Sequence, residues 1–323
     1  MDVKKLKEKV LQGYDINEQE AIELYDADLD LLTDAANEIR EFYMEDTFDL
    51  CTIINAKCGS CSENCKFCAQ SGHYGKNVET YPLLDDEVII ADAIKQKEKG
   101  ILRYSLVTSG KKLSDEDVLN EARIVKKIKE ACDIEICISN GLLSYENFKI
   151  LKDAGVSRVH NNLETAPSFF PSVCTTHTIE DKIKALEDAR RAGLEVCSGG
   201  IIGLGETREQ RIEMAMTLRD LGVKSIPVNV LNPIPHTPFG QNDKLTEEEV
   251  IRTVAVYRFI LKNSFIRLAG GRALFSDKGK SIFKSGANAA ISGDMLTTSG
   301  INTKTDIEII KELNFTPRVV SIL

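Results

Sequence analysis

No excess of basic residues is present: across 323 residues, 41 Lys and Arg face 50 Asp and Glu, for a net charge of −9. That balance argues against nucleic acid or an anionic membrane surface as a partner, since both reward basic patches. No stretch approaches the roughly 20 apolar residues that a membrane-spanning helix requires. The start, MDVKKLKEKVLQGYD, lacks the apolar core of a secretory signal, so the expected location is the cytoplasm. Linkers, low-complexity tracts and internal repeats are also missing, which leaves no obvious break between folding units. Hydrophobic residues make up 42% and charged residues 28%, enough for a globular core and too apolar for disorder. Cysteine, by contrast, is plentiful. Nine is an odd number for a chain expected in a reducing compartment, so metal or redox chemistry is a better reading than a disulfide framework.

Residues 1–46 read as a helical extension, because NEQEAIELYDADLDLLTDAANEIREFY spaces its apolar residues at helical period. From 47 to 323 the pattern changes to short β-rich runs alternating with amphipathic helices. The runs are DLCTIIN from Asp49, LRYSLVT from Leu102, IEICIS from Ile134, RVHNNLE from Arg158, EVCSGGIIG from Glu195, SIPVNVL from Ser225, FIRLAGG from Phe265 and NAAISG from Asn288. Ser114 and Thr246 are good caps for two of the intervening helices. Eight strands each followed by a helix is the count of an α/β fold of the (β/α)8 TIM type, closed by right-handed crossovers. An open, doubly wound sheet is the alternative. The series is expected to form one barrel domain behind the helical extension.

Inward positions of such a barrel are usually apolar. Here Ser105, Cys137, Asn162, Cys197, Asn229 and Arg267 fall inside six different expected strands. Any one of these cysteines could be a small buried hydrophobe. Six polar or sulfur-bearing positions together, however, point to a polar lumen that serves as a site, because buried polar groups are costly without partners.

The stretch KCGSCSENCKFCAQS, following the first strand, places Cys58, Cys61, Cys65 and Cys68 within eleven residues. Barrel active sites are built at that end of the strands. A four-cysteine zinc site would need two CxxC pairs about 15–20 residues apart, whereas here three residues separate the pairs. A ferredoxin run would space its cysteines differently and place a proline where Ala69 stands. The remaining reading is CxxxCxxC, made by Cys61, Cys65 and Cys68 with Phe67 before the last. Three thiolates on a four-iron cubane leave one iron open to a small chelating molecule.

CxxxCxxC with that aromatic resembles the signature of radical S-adenosylmethionine (SAM) enzymes. The resemblance implies that Cys61, Cys65 and Cys68 hold a [4Fe-4S] cluster, that SAM chelates the open iron, and that Phe67 lies near the adenine. Its reductive cleavage releases methionine and a 5′-deoxyadenosyl radical. Within that superfamily, HNNLET (from His160), VCSGGIIGLGET (from Val196), PVNVL (from Pro227) and FIRLAGGR (from Phe265) resemble the biotin synthase family in order and spacing, from about Cys51 onward. The implied reaction inserts sulfur between two unactivated carbons of dethiobiotin. Acid–base chemistry stabilises neither a carbanion nor a carbocation there, but a radical needs no such help. The implied sulfur donor is an auxiliary iron–sulfur cluster in the lumen.

By the same resemblance, Asn162 and Glu164 contact the SAM ribose, and Gly199, Gly203 and Glu206 lie on the glycine-rich stretch beside the adenine. Asn229 binds the ureido ring of dethiobiotin, and His160, in swapped order with Asn161 relative to the family's NHN, is a further substrate contact. Cys137, Cys197 and Arg267 match auxiliary-cluster ligands, while Ser105 occupies the place of the third strand cysteine. A hydroxyl is a poor ligand for iron beside sulfide. The extra cysteine, Cys58, is therefore expected to reach the lumen in its stead, holding either a [2Fe-2S] or a larger four-iron cluster. Cys51, Cys132 and Cys174 match no ligand and read as structural, and no role falls to His73, His177 or His236. Flavodoxin or ferredoxin is the implied reductant and a homodimer the implied assembly. Other radical SAM enzymes, among them hydrogenase-cofactor maturases and other sulfur-inserting enzymes, are the nearest alternatives; a ferredoxin-like electron carrier would leave the barrel superfluous.

Overall fold

The computed structural model describes residues 1–74 and 78–322. Three helices, Val3–Leu11, Glu18–Leu24 and Leu29–Met44, precede the first strand. Each begins at a side-chain cap: Asp2 accepts from the Lys5 amide, Asn17 and Glu20 form a reciprocal capping box, and Asp28 accepts from the Leu31 amide. Such caps satisfy amides that no preceding turn can reach. The third helix buries Leu32, Ala35, Ala36 and Ile39 and packs on helix Glu247–Ile260 in the outer ring.

The strands are β1 (Thr47–Lys57), β2 (Arg103–Thr108), β3 (Glu135–Ser139), β4 (Val156–His160), β5 (Glu195–Cys197), β6 (Gly200–Ile202), β7 (Ser225–Val230), β8 (Phe265–Leu268) and β9 (Ala289–Ser292). Neighbours are parallel, and β1 pairs with both β2 and β9, closing the sheet. Since β5 and β6 share one place beside β7, the ring has eight staves, and the open sheet is excluded. Ser114 and Thr246 cap helices Asp115–Ala131 and Glu247–Ile260 as expected, accepting from the Asp117 and Glu249 amides. A two-residue β10 (Thr316–Pro317) pairs with the start of β1; it is too short to show alternation in sequence. Among the described residues, no helix is long and apolar enough to cross a membrane.

Two expected strands differ in extent. RVHNNLE begins earlier and stops at His160, so Asn161 to Glu164 lie past the end of β4 and Asn162 is a loop residue. EVCSGGIIG breaks at Ser198 and Gly199 because the chain there runs against β7: a Cβ on Gly199 would sit 1.9 Å from the Pro227 carbonyl oxygen.

Beneath the outer helices, Arg258 is fully buried yet well partnered. Its guanidinium donates to the carbonyls of Gly286, Leu261, Lys262 and Ser264 and to Asn288 Oδ1. Asn288 Oδ1 also accepts from the Ile266 amide, so one side chain holds the end of helix Glu247–Ile260 against β8 and the approach to β9. Arg258→Ala is expected to cost about 3–5 kcal/mol, because it strands several buried carbonyls. Denaturant unfolding of the cluster-free protein measures it, and a loss under 1 kcal/mol (about the worth of one surface bond) would refute the role.

Candidate active site

A cavity of about 390 Å³ occupies the lumen and opens at the C-terminal ends of the strands. Its lining divides into three groups. The loop after β1 contributes Cys61, Cys65, Phe67 and Cys68; the strand ends contribute His160, Asn162, Glu164 and Asn229; the strand interiors contribute Cys51, Ser105, Cys137, Cys197 and Arg267.

The loop is held by its own backbone. Cys61 donates its amide to Gln70 O (3.1 Å) and accepts from Gly72 N (2.7 Å), while Cys68 N donates to Cys65 O (3.0 Å). Lys66 N reaches Val173 O (3.0 Å), tying the loop to helix Phe170–Val173. Phe67 packs on a small apolar cluster of Val173, Ile201, Leu204 and Leu231. Next to this helix, ligand atoms of Cys65, Cys174 and His177 lie within 4.8 Å of one another. His177 Nδ1 is 2.6 Å from Glu63 Oε2 and 3.4 Å from Cys174 Sγ. The Cys65 thiol donates toward Cys174, which raises Cys65 and lowers Cys174. Cys174 and His177 are thus neighbours of the cluster loop, although neither stood out in the sequence.

At the strand ends the side chains form one hydrogen-bonded row. His160 Nδ1 is 3.2 Å from Ser139 Oγ and its Nε2 is 2.9 Å from Asn162 Oδ1, which also accepts from Gly199 N (3.0 Å). Because Asn162 Oδ1 only accepts, Nε2 carries the proton and Nδ1 accepts from Ser139. Burial lowers the His160 pKa to about 4, so the ring is neutral near pH 7. Asn162 Nδ2 donates to Glu164 Oε2 (3.3 Å). Glu164 has φ of 73°, left-handed for a residue with a Cβ, and two bonds hold it there: its amide to Gly199 O (3.1 Å) and Ile201 N to its carbonyl (2.8 Å). Burial raises its pKa, opposed by Lys182, whose Nζ is 3.8 Å away. Asn229 Nδ2 donates to Gly200 O (3.1 Å) and its Oδ1 accepts from Gly270 N (2.8 Å), fixing the amide plane at the cavity wall.

Deeper down, the register places Ser105 beside Cys137, and Cys51 beside Arg103. Cys197 accepts from Ser225 Oγ at 3.1 Å. Burial raises the Cys51 and Cys137 thiols to about 11 and about 12, with Cys197 adding to both. Arg267 Nη1 donates to Asp49 O, Ala290 O and Cys51 Sγ (3.1 Å), and its Nη2 to Asp49 Oδ2 (2.8 Å).

Two expectations about position are corrected here. Cys58 is buried but does not line the cavity; past the end of β1, its amide and carbonyl pair with those of Tyr81 at 3.2 Å. Gly199, Gly203 and Glu206 do not line it either. Gly199 allows β7 to approach, while Glu206 accepts from Gly203 N (2.8 Å) and Arg211 Nε (2.6 Å), which makes it a turn-holding carboxylate. Arg267 does line the cavity, with its guanidinium engaged as a donor. Arg103, Arg158 and Lys182 line the cavity without having been singled out, and so does Cys51, which had read as structural. For Cys51 a signal existed: with Asp49 and Ile53 it falls on alternate positions of one strand face.

Comparison with known proteins bears on this arrangement. The Radical SAM superfamily matches residues 57–218, and the Biotin and Thiamin Synthesis associated domain matches residues 227–316. A biotin synthase of Brachyspira hyodysenteriae is 54% identical over 96% of this chain and 93% of its own length. One of Clostridium botulinum is also 54% identical, over 96% of this chain and 98% of its own. Among solved structures, methylornithine synthase superposes with a TM-score of 0.83 at 19% identity over 97% of both chains. A maturase of the [FeFe]-hydrogenase gives 0.82 at 16% identity, over 99% of this chain and 76% of its own. At those identities the structural likeness speaks for the fold alone.

Gly199→Ala is expected to destabilise the cofactor-free protein by about 3 kcal/mol or more, since the added methyl overlaps a backbone oxygen that cannot swing away. Unfolding measured without SAM tests this. Unchanged stability would instead favour a cradle for a ligand at this position.

Proposed function

The chain belongs to the biotin synthase family of the radical SAM superfamily, and from that premise we propose that it inserts sulfur into dethiobiotin to form biotin. The observation carrying this reading is that one cavity is lined by the CxxxCxxC cysteines at its mouth and by a second group of thiols in its strands. Family membership implies a [4Fe-4S] cluster and SAM, and the donor set at the mouth fits such a cluster: three half-buried thiols on a loop whose backbone is already hydrogen-bonded. Deeper in, a second set of buried thiols beside unpaired polar atoms fits an auxiliary iron–sulfur cluster.

Cys61, Cys65 and Cys68 would hold the first cluster. When bound, the two clusters and SAM would supply a 5′-deoxyadenosyl radical and a sulfide. The protein's own part is binding and orientation. Asn162 and Glu164, locked in the row that runs from Ser139, present polar groups at fixed positions to the ribose. Phe67 and Ile201 give the adenine an apolar wall. Asn229, with its amide plane fixed by Gly200 and Gly270, faces the ureido ring, and neutral His160 adds no charge that an uncharged substrate would have to balance. Flavodoxin or ferredoxin would supply electrons, and a homodimer is the proposed assembly.

The deciding experiment is oxygen-free incubation of the reconstituted protein with dethiobiotin, SAM and a flavodoxin reducing system. Biotin is expected, and 5′-deoxyadenosine without biotin would overturn the substrate assignment. Replacing Cys61, Cys65 or Cys68 by alanine should abolish 5′-deoxyadenosine formation, measured by chromatography; a variant cleaving SAM at the parental rate would remove that cysteine from the ligand set. Asn229→Ala should weaken dethiobiotin binding by about 1–3 kcal/mol, the cost of a lost buried hydrogen-bonding partner. Calorimetry finding equal affinity would place the substrate elsewhere.

A further inference from the structure

We infer that Cys65 and Cys174 form a reversible disulfide site: once iron has left the CxxxCxxC loop, an oxidant joins the two sulfurs and a dithiol reductant frees Cys65 again. The inference rests on the reading of Cys65 as a ligand in the function proposed above. It gives a role to Cys174, which holds no iron in that reading.

The two cysteines face each other because the segments that carry them are stitched together on both sides. On one side Asn64 and Thr175 are joined twice, Thr175 N donating to Asn64 Oδ1 (2.9 Å) and Asn64 Nδ2 to Thr175 Oγ1 (2.7 Å). On the other, Lys66 N donates to Val173 O (3.0 Å). Residues 64 and 66 thus lie against 175 and 173, and the antiparallel register sets 65 against 174. One residue further out, Thr176 Oγ1 accepts from Asn64 N (3.1 Å) and donates to Glu63 Oε2 (2.8 Å). The two sulfurs lie within 4.8 Å of each other. A disulfide needs them about 2 Å apart, a gap that rotation about the Cα–Cβ bonds can close.

Exposure divides the pair into two roles. Cys65 is half-buried and lines the chamber, so whatever enters the cavity meets its sulfur. Cys174 stands behind it, buried and off the cavity wall, in the place of a resolving thiol. The other surplus cysteines lack such a neighbour: Cys58 is paired through its backbone with Tyr81, and Cys132 ends helix Asp115–Ala131.

The oxidant is dioxygen or a small-molecule disulfide. With dioxygen, two thiols give up two electrons and two protons, one S–S bond forms, and hydrogen peroxide leaves. With a small disulfide, Cys65 attacks one sulfur and a thiol departs; Cys174 then displaces the second thiol from the mixed disulfide. A dithiol reverses either outcome by the same exchange and is itself oxidised to a disulfide. While it lasts, the bond keeps iron off the loop, and it spares Cys65 the steps to sulfinic and sulfonic acid that thiols do not undo.

The test needs no turnover. Cofactor-free protein is exposed to air or to oxidised glutathione, free thiols are blocked with iodoacetamide, and tryptic peptides are mapped by mass spectrometry. Residues 58–66 leave as one peptide carrying three cysteines, so fragmentation assigns the linked one. A Cys65–Cys174 cross-link is expected as the main disulfide, lost on adding dithiothreitol, absent from Cys174→Ser and kept by Cys58→Ser, Cys61→Ser and Cys68→Ser. After air and then dithiothreitol, the parent should regain most of its iron uptake. Cys174→Ser should regain at least about twofold less, with Cys65 recovered as sulfinic acid. A disulfide formed within residues 58–68 in place of the cross-link, or parental Cys65 found mainly as sulfinic acid, would overturn the inference. The mapping needs only the parent chain, so it decides even where Cys174→Ser fails to fold. Biotin formation is assayed separately; if it fails while the cross-link stands, the proposed function falls and the disulfide site survives.

Discussion

The Asp49 carboxylate is the interaction on which the interior turns. From β1 it takes Arg158 Nη1 of β4 and Arg267 Nη2 of β8 on a single oxygen, each at 2.8 Å, so three staves meet across the lumen. Burial opposes its ionisation, but Arg267, Arg158 and Arg103 outweigh that cost and hold its pKa below the usual carboxylate range. A carboxylate depressed in the fold contributes stability above its unfolded pKa and loses it only as pH falls through the folded value, so this hub is intact across the neutral range. Buried pairs of this kind are weak net stabilisers against an apolar core, and removing one partner costs about 3–5 kcal/mol. Their value lies in what they impose, a polar interior at the level where an ordinary barrel would stack aliphatic layers.

That polar level divides the labour of one chamber. Strands carry Cys51, Cys137 and Cys197 on rigid, doubly paired backbone, whereas Cys61, Cys65 and Cys68 stand on a loop whose hydrogen bonds run within itself and to helix Phe170–Val173. Between the two lie the polar row from Ser139 to Glu164 and the amide of Asn229. Sulfur insertion at an unactivated carbon needs the radical source and the substrate held close together, away from water. A cavity of about 390 Å³ with thiols at both depths meets that requirement with side chains from nearly every strand.

Reading residues in order reached some positions more securely than others. Asn162 and Gly199 show the difficulty: both were placed on strands because their neighbours are β-prone, yet one lies beyond the end of β4 and the other breaks β5 from β6 against Pro227. Strand ends are set by where a partner strand stops, which a local pattern does not contain. Glu206 looked like a cofactor contact within a glycine-rich run, but Arg211, one helical turn further on, claims it. Cys58 lies off the cavity wall and Cys51 on it for a similar reason, since membership in a cysteine-rich stretch says nothing of which way a thiol faces.

Alternation of β-rich runs with capped helices was enough to specify an eight-stave barrel, because periodicity and capping are local properties that the chain carries wherever it folds. The CxxxCxxC spacing was likewise enough to mark an iron–sulfur loop, since ligand spacing within one loop is covalent geometry. Which thiols share the lumen, which arginines meet on the Asp49 carboxylate, and where each strand ends were decided only by tertiary structure. Asp49, Arg158 and Arg267 are separated by more than a hundred residues in sequence, and only closure of the barrel brings them onto one oxygen. Long-range pairing fixes these neighbours, and no local pattern records it.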